Sequence, residues 1–253
     1  MSVESLYIDA FKKSVIKGPF AKERKWEFDE EDSLLFEDAI YQAYLDAART
    51  FRKVKQERKA FKALAGQIQE YFKHRELVKK FSELHKTWCD AFIESMKKYN
   101  YDAKFGQAQK VVNMTFKYLY CCQGAERKKE WFAECHMVLD TFTLNWFKRV
   151  VLEGNYHAKH IKPNKIEEWS KIDEKNYKWI QKKIKEHFEN KGTVIENEFL
   201  LWPDEIIISA TKELYKIFEK HNEYEYPPHE NCDLRKQLNE LQNQIDAFLM
   251  QLE

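Results

Sequence analysis

Lys110 and Asp140 are the residues of this chain whose types and setting suit covalent chemistry. On a helix starting near Gly106, the side chains of Gln107, Lys110, Met114 and Lys117 recur at steps of three and four and share one face. Val111, Val112, Thr115, Phe116 and Leu119 fill the opposite, buried side. A lysine on a face that only meets water is ordinary. A lysine lining a cleft is an amine nucleophile in waiting, because desolvation favours its neutral form. Asp140 follows thirty residues later, behind Met137-Val138-Leu139, where a helix is expected to open. There its carboxylate caps its own helix or faces a cleft lysine.

Other chemistries lack their residues. Two Glu-x-x-His motifs, His-Glu-x-x-His and a four-ligand zinc set are absent, so no metal or cofactor is expected. Neither Gly-x-Gly-x-x-Gly nor Gly-x-x-x-x-Gly-Lys occurs to cradle a phosphate, and no Gly-x-Ser-x-Gly elbow presents a serine.

The elements that must position these residues are helices. Apolar residues step by three and four through Leu35, Phe36, Ile40, Tyr44 and Leu45, then Phe51 to Tyr71, then Val78 to Met96. Further helices are expected over about 106–122, 128–135, 141–153, 173–189 and 204–221, with Asp173 as an N-cap and Pro203 in a first turn. Residues 192–202 contain Thr193, Val194 and Ile195 and suggest a short extended piece. The chain holds 6 Gly and 5 Pro, against about 18 and about 13 at average usage for this length. Collagenous, linker-like and many-stranded architectures are thereby disfavoured. The expectation is an all-α fold of eight to ten helices over 1–226, then a Pro227-Pro228 linker and an amphipathic helix in 227–253.

Net charge is +1, but it is segregated. Residues 26–48 carry eight acids and no Lys or Arg, while 49–80 carry eleven basic residues against three acids. Such blocks either pair within the fold, face water, or present a basic surface to phosphate. Five cysteines form no Cys-x-x-Cys, no leader segment is evident, and no run of eighteen apolar residues exists. A cytoplasmic protein with reduced thiols and no membrane span is expected.

The segment Gln-Lys-Val-Val-Asn-Met-Thr-Phe-Lys-Tyr, with Val-Leu-Asp-Thr-Phe-Thr-Leu thirty residues on, resembles the helix-hairpin-helix DNA glycosylases, and among them the archaeal 8-oxoguanine glycosylase branch. The likeness spans roughly 40 residues. The glycine-rich hairpin of that superfamily is reduced here to Gly106, and the proline usual before the Asp is Val138. The resemblance implies that Lys110 attacks the anomeric carbon of a flipped nucleotide and that Asp140 assists. It implies substrate contacts from Gln107, Asn113, Lys117, His136 and Trp146, and DNA phosphate contacts from Lys104, Arg127, Lys128 and Lys129. Two other readings stand beside it. Leu234, Leu238, Leu241, Ile245, Phe248 and Leu252 form a seam under three heptads long, suited to a homodimer through 231–252 or to a docked terminal helix. The basic 49–80 region would suit a helical nucleic-acid or nucleotide-signal binder without catalysis.

Overall fold

The structure, a computed structural model, describes residues 7–8, 11, 27–47, 51, 58–74, 81–152 and 168–222, with side chains as far as 211. The fold is all-α. Among the described residues there are eight α-helical segments and one isolated bridge, Glu27 with Gln123, in place of any sheet. No helix among them is long and apolar enough to cross a membrane. The chain forms two compact units, residues 16–198 and residues 1–15 with 199–253. In the second of these, Phe11 meets Phe199 and Trp202 edge-on at 5.3 and 5.6 Å. The expected linker and seam after residue 226 lie outside the described residues.

In the 16–198 unit, helix α1 is Ser33–Ala47, a 3₁₀ turn Arg58–Phe61 leads into α2 Lys62–Lys73, and α3 is Phe81–Lys97. Helix α4, Phe105–Tyr120, is the central element, with α1 and α3 packed along it. Its expected polar face does not exist: every α4 residue except Phe105, Lys110 and Tyr120 is buried. Neighbours surround it, so its polar side chains bond to protein rather than water. Rings knit this core. Phe72 touches Phe28, Phe116 and Phe132, and Trp88 touches Tyr71, Phe81 and Phe116, at centroid distances of 5.1–5.8 Å. Leu45, placed by spacing on the α1 stripe, is instead 38% exposed.

After α4 come a 3₁₀ turn Ala125–Lys128, the single-turn α5 Lys129–Phe132, and an irregular stretch through residue 140. Helix α6, Thr141–Trp146, runs into a π turn over Phe147–Leu152. A 3₁₀ turn Trp169–Lys171 precedes α7 Glu174–His187, whose N-cap is Asp173 as expected, its Oδ1 accepting from Asn176 N at 2.7 Å. Helix α8 is Val194–Asn222, which overturns two expectations. Residues 194–202 are helical, not extended, and Pro203 lies inside the helix, not in its first turn. The start is fixed earlier by a capping box: Glu196 N donates to Thr193 Oγ1, and Thr193 N donates to Glu196 Oε2.

Part of the segregated charge is paired within the fold. Arg58 bridges Asp38 at 2.6 Å and Glu37 at 3.6 Å, Lys73 pairs with Glu31, and Lys128 pairs with Glu30. The rest of the basic 49–80 region lies largely outside the described residues. Cys89, Cys121, Cys122 and Cys135 are free and buried.

Candidate functional site

Residues 137–139 are buried without belonging to a helix, so their backbone groups must find side-chain partners. All six do. Gln181 clasps Met137, accepting from its N–H at 3.1 Å and donating to its carbonyl at 2.7 Å. Gln109 clasps Leu139 likewise, at 3.2 and 2.8 Å. Between them, Val138 N donates to Glu198 Oε2 at 2.9 Å and its carbonyl accepts from Thr143 Oγ1 at 2.6 Å. Two glutamines thus act as a substitute neighbouring strand, and this scaffold delivers Asp140.

Asp140 is the N-cap of α6, as expected. Its Oδ1 accepts from Phe142 N and Thr143 N at 3.0 and 3.1 Å. Its other oxygen, Oδ2, lies 3.8 Å from Lys110 Nζ, and the two side chains are 16% and 15% exposed. That separation is too long for a hydrogen bond, so the carboxylate and the ammonium attract by charge without one. Lys110 Nζ also sits 4.6 Å from the centroid of the Trp169 ring, a cation–π contact. Trp169 comes this close because the second residue of α4 is a glycine. A Cβ on Gly106 would fall 2.1 Å from the Trp169 carbonyl oxygen and 2.9 Å from Ser170 C. Gly106 therefore serves close backbone approach.

Lys117 and Glu198 form a buried ion pair at 2.7 Å, each side chain 2% exposed. Burial pushes the Glu198 carboxyl above its ordinary range, against the opposing pull of Lys117 and of the Val138 N–H. Glu198 thereby couples α8 to α4 and to the segment carrying Asp140.

A second polar cluster lies deeper along α4. Asn113 Nδ2 donates to Met137 O, which fixes the orientation of its amide, so its Oδ1 must accept from His85 Nε2–H at 2.9 Å. Tyr177 OH accepts from Asn113 Nδ2 at 2.9 Å and has one hydrogen to give, to His136 Nδ1 at 2.9 Å. His136 is accordingly the tautomer with its proton on Nε2. Cys89 Sγ, 3.7 Å from His85 Nδ1, donates at the far end. Burial holds His85 neutral, its pKa lowered to about 3, and keeps His136 well below its usual value. It also raises the Tyr177 phenol well above 10.0.

Of the residues expected at a site, Lys110 and Asp140 are brought together. Asn113 belongs to the buried cluster, and His136 stands at its end. Gln107 accepts from Lys104 N at 3.0 Å and donates to Tyr101 OH, as a helix cap. Trp146 stacks on Phe188, the planes 2° apart. Lys104 pairs with Asp102 and Lys129 with Glu196, while Lys128 stands over Trp131 as well as beside Glu30. Arg127 donates to the carbonyls of Gly124 and Phe28. No group of three or more metal-ligating side chains occurs among the described residues.

No protein-family model, curated protein or solved structure matches the chain. Besides Glu198, residues central to the geometry that the sequence does not mark as a site are His85, Gln109, Tyr177 and Gln181. Their signal was a polar side chain at an apolar position of a helical stripe. Gln109 and Asn113, four apart on a helix otherwise rich in apolar residues, are the clearest instance.

Proposed function

We propose that the chain is a DNA-base glycosylase/lyase in which Lys110 is the nucleophile and Asp140 its charge partner. One observation carries the reading: Lys110 Nζ and Asp140 Oδ2, thirty residues apart in sequence, approach to 3.8 Å at a half-buried place. The division of labour within Asp140 supports it, because one oxygen is spent on the α6 cap and the other is left to the lysine.

The chemistry follows from that arrangement. A nucleotide leaves the stack at a cost of a few kcal/mol. Asp140 takes a proton from Lys110, whose amine forms a bond to C1′ as the C1′–N bond to the base breaks, and the base departs with the electron pair and a proton from the attacking nitrogen. Asp140 returns its proton to the ring oxygen as the sugar opens to a protonated Schiff base; the carboxylate then takes a proton from C2′, and β-elimination releases the 3′ phosphate. As a carboxylate, once that proton is returned, Asp140 also offsets the positive charge of the Schiff base. Trp169, already against the amine, supplies an aromatic wall.

The test is strand cleavage of duplex and single-stranded oligonucleotides carrying 8-oxoguanine, uracil or an abasic site. Cleavage of one lesion, abolished in Lys110→Gln and reduced at least about a hundredfold in Asp140→Asn, is expected. Cleavage that Lys110→Gln leaves intact overturns the assignment of the nucleophile.

A further inference from the structure

Away from the Lys110–Asp140 pair, the 16–198 unit holds a cleft of about 970 Å³, at the upper end of the range for small-molecule sites. Trp131 contributes aromatic wall, while Tyr71 and Phe81 border the cleft but are almost wholly buried, 6% and 1% exposed. His136 lies at the cleft, Phe81 meeting its ring edge-on at 5.0 Å. Because Nδ1 is taken by Tyr177, what His136 has left to offer is its Nε2–H, a donor of fixed position. The buried relay through Tyr177, Asn113 and His85 sets that tautomer, so the donor does not invert to an acceptor.

The charged lining has a defined pattern. Lys178, Lys182 and Lys185 come from one face of α7, and Lys86 from α3. Glu83, Glu130, Glu134 and Glu186 also line the cleft. Lys86 and Lys178 hold close partners at 2.5 Å, Asp90 and Glu174. Lys182 and Lys185 do not: Glu186 and Glu134 stand 3.9 and 3.8 Å away, and both lysine side chains are largely exposed. These two ammoniums are free to turn to an anion at little cost.

We propose that this cleft binds a nucleotide, its base against Trp131 with a ring or carbonyl acceptor on His136 Nε2–H, and its phosphate on Lys182 and Lys185. An aromatic face suits any base, the single donor selects an acceptor edge, and paired lysines suit a phosphate. The ligand is either a free mononucleotide or a nucleotide of a single strand. The site does not depend on the Lys110–Asp140 reading.

The experiment is isothermal titration of the full chain with GMP, AMP, UMP, inorganic phosphate and a five-nucleotide single-stranded DNA. Saturable binding of a mononucleotide identifies the free ligand, and binding of the oligonucleotide alone identifies a strand. In either case His136→Phe, which keeps an aromatic ring but removes the donor, weakens binding about tenfold. The Lys182→Ala/Lys185→Ala double variant, which touches only the surface, weakens it by a similar factor and makes it insensitive to salt. Binding of phosphate as tight as that of any nucleotide overturns the proposal. So does the absence of binding by all five probes, or binding that both the His136 and the lysine variants leave intact.

Discussion

Cutting one side of the Lys117–Glu198 pair should destabilise the protein far more than the second cut adds. At 2.7 Å and an effective dielectric of about 20, the two charges attract by about 6 kcal/mol, most of it offset by desolvation. Glu198→Gln keeps an oxygen to accept from Val138 N but removes the carboxylate that stands 2.7 Å from the Lys117 ammonium, in a site 2% exposed. The expected cost is about 3–5 kcal/mol. Lys117→Met strands the carboxylate instead, and here pH matters. Burial already raises the Glu198 pKa, so protonation relieves the stranded charge, and the penalty of Lys117→Met should shrink as pH falls towards 5. Lys117→Met/Glu198→Gln removes both charges of the pair and should cost no more than the worse single variant, a coupling at least as large as the smaller single cost. Urea unfolding followed by helical circular dichroism at pH 8 and pH 5 measures all three variants. Additivity of the single costs within about 0.5 kcal/mol would refute the reasoning.

Three further outcomes follow from the same geometry. His85 titrates near 6.5 unfolded but at about 3 folded, and His136 is depressed too, so below pH 6.5 the unfolded chain binds protons that the folded chain refuses. Stability should therefore fall as pH drops from 6.5 towards 3, by about 2 kcal/mol from His85 alone between pH 6.5 and 5, and His85→Gln should flatten that slope in urea midpoints. Gly106→Ala should destabilise despite alanine's advantage of about 1 kcal/mol in a helix, because the new Cβ meets the Trp169 carbonyl; a higher melting temperature in the variant would contradict this. Asp140→Ala should cost about 0.5–2 kcal/mol through the lost cap, whereas Asp140→Asn keeps an acceptor for Phe142 N and Thr143 N and should unfold within about 0.5 kcal/mol of the native chain.

What was legible in the sequence was what is local. The stripe Leu35, Phe36, Ile40 and Tyr44 and the caps Asp140 and Asp173 act over a turn or two, so spacing finds them. Lys117 was assigned to a cleft face because nothing local marks Glu198, 81 residues away, as its partner. The glutamine clasps on Met137 and Leu139 were invisible for the same reason: their need arises only when an irregular segment is buried between helices. Pro203 misled because the preference of proline for first turns outweighed a signal ten residues earlier, Thr193-x-x-Glu196, which is itself a local capping pattern.

The central claim, that Lys110 is a nucleophile steered by Asp140, is tested most directly by borohydride reduction in the presence of damaged DNA, followed by peptide mapping of the trapped adduct. The account predicts a covalent protein–DNA species whose modified peptide carries the sugar on Lys110, absent from Lys110→Gln and diminished in Asp140→Asn. An adduct mapped to another lysine, or no adduct with any lesion while the Asp140→Asn variant folds normally, would contradict it.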